Sequence, residues 1–390
     1  MIVEFLAIIA GILSGTLTGL IPGIHTNLIA AILITMTIPI KNNILLIYII
    51  SLAITHTFTD FIPSIYFSAP SPDTGLSIMP GHKMLLAGKG HLAIKYTLTG
   101  SLIAILVFIV TIPVHFLFLE KLYPYIEIMI PWTLTLITIF LISKSKRKKE
   151  SIIIIILASF LGIFTLNSNI NQPLLPLLTG LFGTSSLIIS IQNNVTPPKQ
   201  KITSNKNNKK DILIIFLKTL LISPICSLMP GLGSSQAATI SQTKKQDNKH
   251  ILTLLGSINT LVLSTSFITL YLINKKRSGA AEAISQIITI NSSHLQIIIL
   301  TILITAIIAT ITTTIISKLI AKNIHKINYI LISKIILLTT TIIIFIISKF
   351  YGLLILATAT LIGILAIKLK VQKTHLMTSI IVPTIFYYLP

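Results

Sequence analysis

Charge is scarce in this sequence. Of 390 residues only 10% are Asp, Glu, Lys or Arg, and only nine are acidic. A chain that is 53% hydrophobic, with a mean hydropathy of +0.93, does not have the composition of a water-soluble domain. Cysteine is almost absent. Cys226 stands alone, which excludes an intramolecular disulfide and a cysteine metal cage. The short alternating segments of a membrane β-barrel are also missing. There is no P-loop, no dinucleotide fingerprint and no convincing nucleophile–base spacing, so ATP-driven transport by this chain alone is not supported. The shortage of acids leaves a net charge of +21. The lysines cluster between apolar runs, where cytoplasmic retention of loops explains them, and no nucleic-acid partner is expected.

What is present is a succession of membrane-length apolar runs, such as "SLIAILVFIVTIPVHFLFL" at 101–119. The expected fold is an all-α polytopic protein of the cell membrane, with about ten to twelve hydrophobic helices. The opening "MIVEFLAIIAGILSG" lacks a basic leader and carries Glu4, so it reads as a mature helix. A broken hairpin over 2–40 pivots at Pro22-Gly23. Spans follow at 44–66, 92–118, 126–143, 151–166 and 173–193. A second broken hairpin over 211–242 pivots at Pro230-Gly231. Spans follow at 251–273, 294–317, 329–348 and 352–367, with a shorter stretch at 376–389.

Loop charge orients these spans. With "KSKRKKE" (144–150) inside, the loops at 67–91, 194–210, 244–250, 318–328 and 368–375 also fall inside and hold most of the Lys and Arg. The outside loops hold Lys41, Lys121, Lys275, Lys276, Arg277 and Lys349, and the Lys275–Arg277 cluster is the weak point of the assignment. The first hairpin then starts outside and the second inside. Residues 1–192 and 211–390 form two inverted-topology repeats joined by a polar cytoplasmic linker, 193–210, as in many secondary transporters.

Pro-Gly inside a membrane helix frees backbone groups, which persist at membrane depth only when buried in protein or lining a wet cavity. Amides freed at the start of a half-helix favour an anion. The substrate-binding candidates are Pro22, Gly23, His25, Thr26 and Asn27 in "LIPGIHTN", with Pro230, Gly231, Gly233, Ser234 and Ser235 in "LMPGLGSSQ". Freed carbonyls at the same places suit a cation. The ladder Gly11, Gly15, Gly19 is expected to pack closely against another helix beside the site. Asp60 and His56 are four apart on one helix face, and Asp60 is the candidate for coupling a proton or Na⁺. Arg277, in "NKKRSGAAEAI", is a candidate contact for an anion on the outer side; pairing with Glu282 is the bland alternative. Asp73, His82, Lys83 and Lys89 occupy the polar loop after Asp60. The histidines lack metal-ligand spacing, so no metal site and no bound cofactor is expected.

Four motifs in order, "GILSGTLTGLIPGIHTN", "SAPSPDTGLSIMPGHKMLLAGKGHLAI", "LMPGLGSSQAA" and "RSGAAEAI", resemble the large membrane subunit of tripartite tricarboxylate transporters, in the compact form typical of archaea. The likeness covers about residues 8–300. It implies a multispan permease with two related halves, moving a carboxylate on an ion gradient. It also implies a small four-helix membrane subunit and an extracytoplasmic binding protein as partners. Carried over, the two Pro-Gly segments match the family's paired signature loops. The chain is shorter than the bacterial permeases, and its first signature has His25 where the second has Gly233.

The expected function is a secondary active transporter for a di- or tricarboxylate held between the two Pro-Gly tips near the membrane midplane. The alternative is a carrier of polyprenyl phosphate, with the head group at the same tips and the tail in lipid. An intramembrane enzyme using His56, Asp60 and the tip hydroxyls is a third reading, and the chain is not expected to be an enzyme.

Overall fold

The computed structural model describes residues 2–21, 41–67, 74, 77–192, 197–203, 208–229, 234, 237–238, 247–326 and 328–389. Its helices are α1 (Ile2–Leu20), α2 (Asn42–Thr59), α3 (Phe61–Tyr66), α4 (Ile78–Leu86), α5 (Gly90–Lys144), α6 (Lys148–Leu166), α7 (Leu174–Leu178) and α8 (Ser185–Gln192). After the linker come α9 (Lys209–Leu228), α10 (Asn248–Ile273), α11 (Gly279–Ile287), α12 (Ser292–Asn323), α13 (Tyr329–Lys368) and α14 (Thr378–Tyr388). A π-helical turn, Thr179–Thr184, joins α7 to α8. There is no strand among the described residues. Among the described residues eight helical stretches are long and apolar enough to cross a membrane, which makes this an all-α multi-pass membrane protein.

Two of those eight are double-length. The runs 92–118 and 126–143, expected as separate spans, form the single helix α5 of 55 residues, with Pro113, Pro124 and Pro131 inside it. A membrane helix tolerates proline where neighbours re-satisfy the freed carbonyl, so Pro124 does not end it. α13 does break where expected. Lys349 has φ 56° and ψ −156°. A Cβ on Gly352 would lie 3.4 Å from Ile344 Cγ2. Residues eight apart in a straight helix are about 12 Å apart, so the chain folds back there.

α1 and α9 stop for a legible reason. Ile21 and Met229 leave the helix, and each precedes a proline, whose ring disfavours helical backbone in the residue before it. The Pro-Gly tips themselves lie outside the described residues.

Two cores result. The larger gathers Ile50, Phe58 and Tyr66 of α2–α3, Phe108 of α5, Leu255 of α10 and Ile302 of α12. The smaller gathers Ile130 and Leu134 of α5, Ala158 of α6, Phe182 of the π turn, Ala359 of α13 and Ile381 of α14.

Helices of the two halves interleave in the larger core. α2 and α3 lie along α12, where Thr305 Oγ1 donates to Ser51 Oγ at 3.1 Å and Tyr66 Oη to the Ser317 carbonyl at 3.2 Å. α5 lies along α10, where Ser101 Oγ donates to the Gly256 carbonyl at 3.3 Å and Phe116 meets Tyr271, ring centroids 5.9 Å apart. At the far end Lys275 is held between the Tyr123 and Tyr388 rings, 4.5 and 5.4 Å from their centroids. Its ammonium donates to both phenols, and Tyr123 donates to Glu127 at 2.9 Å. Lys275 therefore ties α10 to the smaller bundle, a structural use for one of the three cations that fit the loop-charge assignment worst.

Candidate functional site

Three helices bring polar side chains together just before the first Pro-Gly segment. α1 can reach α2 because its glycines have no side chains. A Cβ would lie 2.6 Å from the Tyr48 carbonyl at Gly11, 2.4 Å from the Leu52 carbonyl at Gly15 and 1.9 Å from Thr59 Oγ1 at Gly19. The glycine ladder packs as its spacing predicts, and it packs on α2. Close approach lets Thr18 Oγ1 meet His56 Nδ1 at 3.0 Å and Thr59 Oγ1 donate to the Gly15 carbonyl at 3.3 Å.

Asp60 sits at the junction between α2 and α3, only 4% exposed. Asn259 of α10 donates through Nδ2 to Asp60 Oδ2 at 3.2 Å. One turn earlier Thr57 Oγ1 and Thr260 Oγ1 share a hydrogen bond of 3.2 Å. Pro63, four residues after Thr59, has no amide to offer the Thr59 carbonyl, so that acceptor lacks its helical donor. A carboxylate, an amide, two hydroxyls and a backbone oxygen are thus concentrated near one junction. Such an oxygen-rich set can hold a proton on Asp60 or a hard cation such as Na⁺. The buried hydroxyls of Thr16 and Thr55 have no partner among the described residues.

The other predicted residues fare as follows. Pro22, Gly23, His25, Thr26, Asn27, Pro230, Gly231, Gly233 and Ser235 lie outside the described residues. Ser234 is described, and it is 1% exposed. Arg277 is half-buried one residue ahead of Ser278, whose hydroxyl caps α11 by accepting from the Ala281 amide. His82 and Lys83, expected in a polar loop, lie on α4, where burial pushes the His82 imidazole below its usual value and favours the neutral ring.

Sequence reasoning missed Thr18, Thr57, Asn259 and Thr260. Asn259 did carry a signal: a primary amide in the middle of a 26-residue apolar helix is costly unless another helix supplies its partner. That the partner is Asp60, 199 positions away, is not readable from spacing.

Comparison with known proteins places these features in context. The pattern of the tripartite tricarboxylate transporter TctA family matches residues 5–378. An uncharacterised protein of Methanocaldococcus jannaschii is 30% identical over 409 residues, covering 99% of each chain. No solved structure matches.

Proposed function

Because the chain belongs to the tripartite tricarboxylate transporter TctA family, we propose that this permease is a secondary active transporter of a di- or tricarboxylate, coupled through Asp60. The observation that carries the coupling role is the buried Asp60–Asn259 pair at a helix junction, with hydroxyls from both halves close by. The substrate would be held by the freed amides of the two Pro-Gly segments, which α1 and α9 enter directly.

Helix directions support two inverted repeats. Ser51 meets Thr305 and Tyr66 meets Ser317, so the stretch α2–α3 and α12 run the same way. Ser101 meets Gly256 and Phe116 meets Tyr271, so α5 and α10 also run together. The first span of each half therefore accompanies the second span of the other, as expected of halves with opposite orientation. Rocking of one half against the other would alternate access to the site.

The family's tripartite organisation implies a small membrane subunit and an extracytoplasmic binding protein as partners. The polyprenyl-phosphate reading uses the same tips and differs in the ligand.

Thermal stabilisation of the purified chain decides between them. A panel of carboxylates and polyprenyl phosphates, with and without Na⁺ and across pH, is expected to give a shift with a di- or tricarboxylate that Na⁺ or acid enhances. At ligand a hundredfold above its Kd, about 2.7 kcal/mol of stabilisation is expected. A shift confined to the lipid phosphates would reject the carboxylate assignment. For orientation, single cysteines at Lys146 and Ile170, in a chain with Cys226 replaced, are expected to label from opposite sides of the membrane. Labelling from one side would reject the assignment of loops.

A further inference from the structure

Beside the smaller core lies a half-buried lysine that the transport site does not use. Lys373 opens the 3-10 turn Lys373–Met377 between α13 and α14. That turn is sunk among the helices. Leu376 and Met377 pack with Ile154, Ala158, Leu181 and Phe182, and Thr378 Oγ1 donates to the Ile155 carbonyl, in the middle of α6, at 3.4 Å. Lys373 Nζ donates to Ser186 Oγ of α8. No carboxylate pairs with it among the described residues. The sequence supplies few candidates: there is no acidic residue from 151 to 192 or from 283 to 390.

Lys373 is half-buried, and its amine turns inward to Ser186, which is 5% exposed. An ammonium that faces apolar side chains without a carboxylate partner is disfavoured relative to the neutral amine. The other ionisable groups on the surrounding elements do not relieve it. His375, on the same turn, is 0% exposed, and neither ring nitrogen has a partner among the described residues. Lys368 and Lys370 precede the turn and add like charge. α6 offers Lys148, Lys149 and Glu150, all in its first turn, with Glu150 3.9 Å from Arg147. The end of α5 offers Lys144. α7, the π turn and α8 offer none.

We propose that Lys373 is a protonation site that switches the smaller bundle: the neutral amine holds the turn against α8 through Ser186, and the ammonium opens that contact to reach water. The chemistry is reversible addition of one proton to the amine lone pair, with no other bond made or broken. The π turn beside Ser186 gives the contact local freedom, because such turns leave the regular helical ladder. In that turn the Thr179 hydroxyl is buried without a partner among the described residues. Burial lowers the Lys373 amine to about 7 and the His375 imidazole to about 4, so around neutral pH the lysine is the group that changes charge.

The sign of the effect follows from linkage. The folded amine binds its proton less tightly than the unfolded or opened one. Between about pH 7 and the ordinary lysine value the opened form holds more protons, so the closed form gains stability as pH rises and its deficit is complete below pH 7.

The test uses the full-length purified chain and no transported substrate, so its outcome is independent of the carboxylate assignment. Lys373→Met is expected to melt higher than wild type at about pH 6, with the gap narrowing steadily above about pH 7. Lys373→Arg, which cannot shed its proton, is expected to melt lower throughout. Hydrogen exchange of the 373–381 amides, corrected for intrinsic rates, should show opening that rises up to tenfold for each unit the pH falls towards 7 and then levels off. In Lys373→Met it should be flat. A melting gap independent of pH, or pH-dependent opening that survives in Lys373→Met, overturns the proposal.

Discussion

Gly100→Val is expected to abolish recovery of folded, monodisperse protein. Gly256→Val is expected to do the same. These glycines mark the crossing of α5 and α10, one helix from each half. A Cβ on Gly100 would lie 1.8 Å from the Thr253 carbonyl oxygen and 2.8 Å from the Ser257 amide nitrogen. A Cβ on Gly256 would lie 2.1 Å from the Thr97 carbonyl oxygen. The obstructing atoms are backbone, so no side chain can turn aside, and the helices must separate along their length. Overpacking that side chains can absorb costs about 1–3 kcal/mol, and this crossing has no such outlet. Separation would also pull Asn259 from Asp60, since Asn259 lies one turn beyond Gly256 on α10. Gly183→Ala is the control, because its new Cβ would meet nothing closer than 3.8 Å. Size-exclusion profiles and melting curves of the three variants check this. A Gly100→Val protein that purifies and melts like wild type would mean that α5 and α10 do not cross as described.

Asp60→Asn is expected to leave the fold intact and remove the ion dependence of uptake. The side chains are nearly isosteric, and the new amide can still accept from Asn259 Nδ2. The charge, and with it the capacity to bind a proton or Na⁺, is gone. Uptake by the variant is therefore expected to proceed at one rate across Na⁺ concentration and pH. Asn259→Leu should leave the ion dependence in place, because the carboxylate remains, and change only the ion concentration that gives half-activation. Uptake measured against Na⁺ and against pH, with melting temperature as the folding control, separates these outcomes. Unchanged ion dependence in a folded Asp60→Asn protein would reject the coupling role.

Composition and apolar run length alone determined that this is a multi-pass helical membrane protein, because a chain in lipid must satisfy its backbone within helices or a closed barrel. Local backbone chemistry was equally legible. Pre-proline residues end α1 and α9, and a ladder of glycines without Cβ atoms becomes a close helix contact. The family likeness was carried by motifs in order along the chain, and so it too was readable. The double length of α5 was not, since proline ends a helix in water but is tolerated where neighbouring helices surround it. Only the tertiary structure decided which polar groups meet. Asp60 and Asn259 are brought together by a crossing of helices from opposite halves, and half-buried Lys373 is turned onto Ser186 by a turn that sinks among α6, α8 and α13. Sequence spacing reports which residues share one helix face. It carries no record of which other face lies opposite, and burial and charge at these sites depend on that.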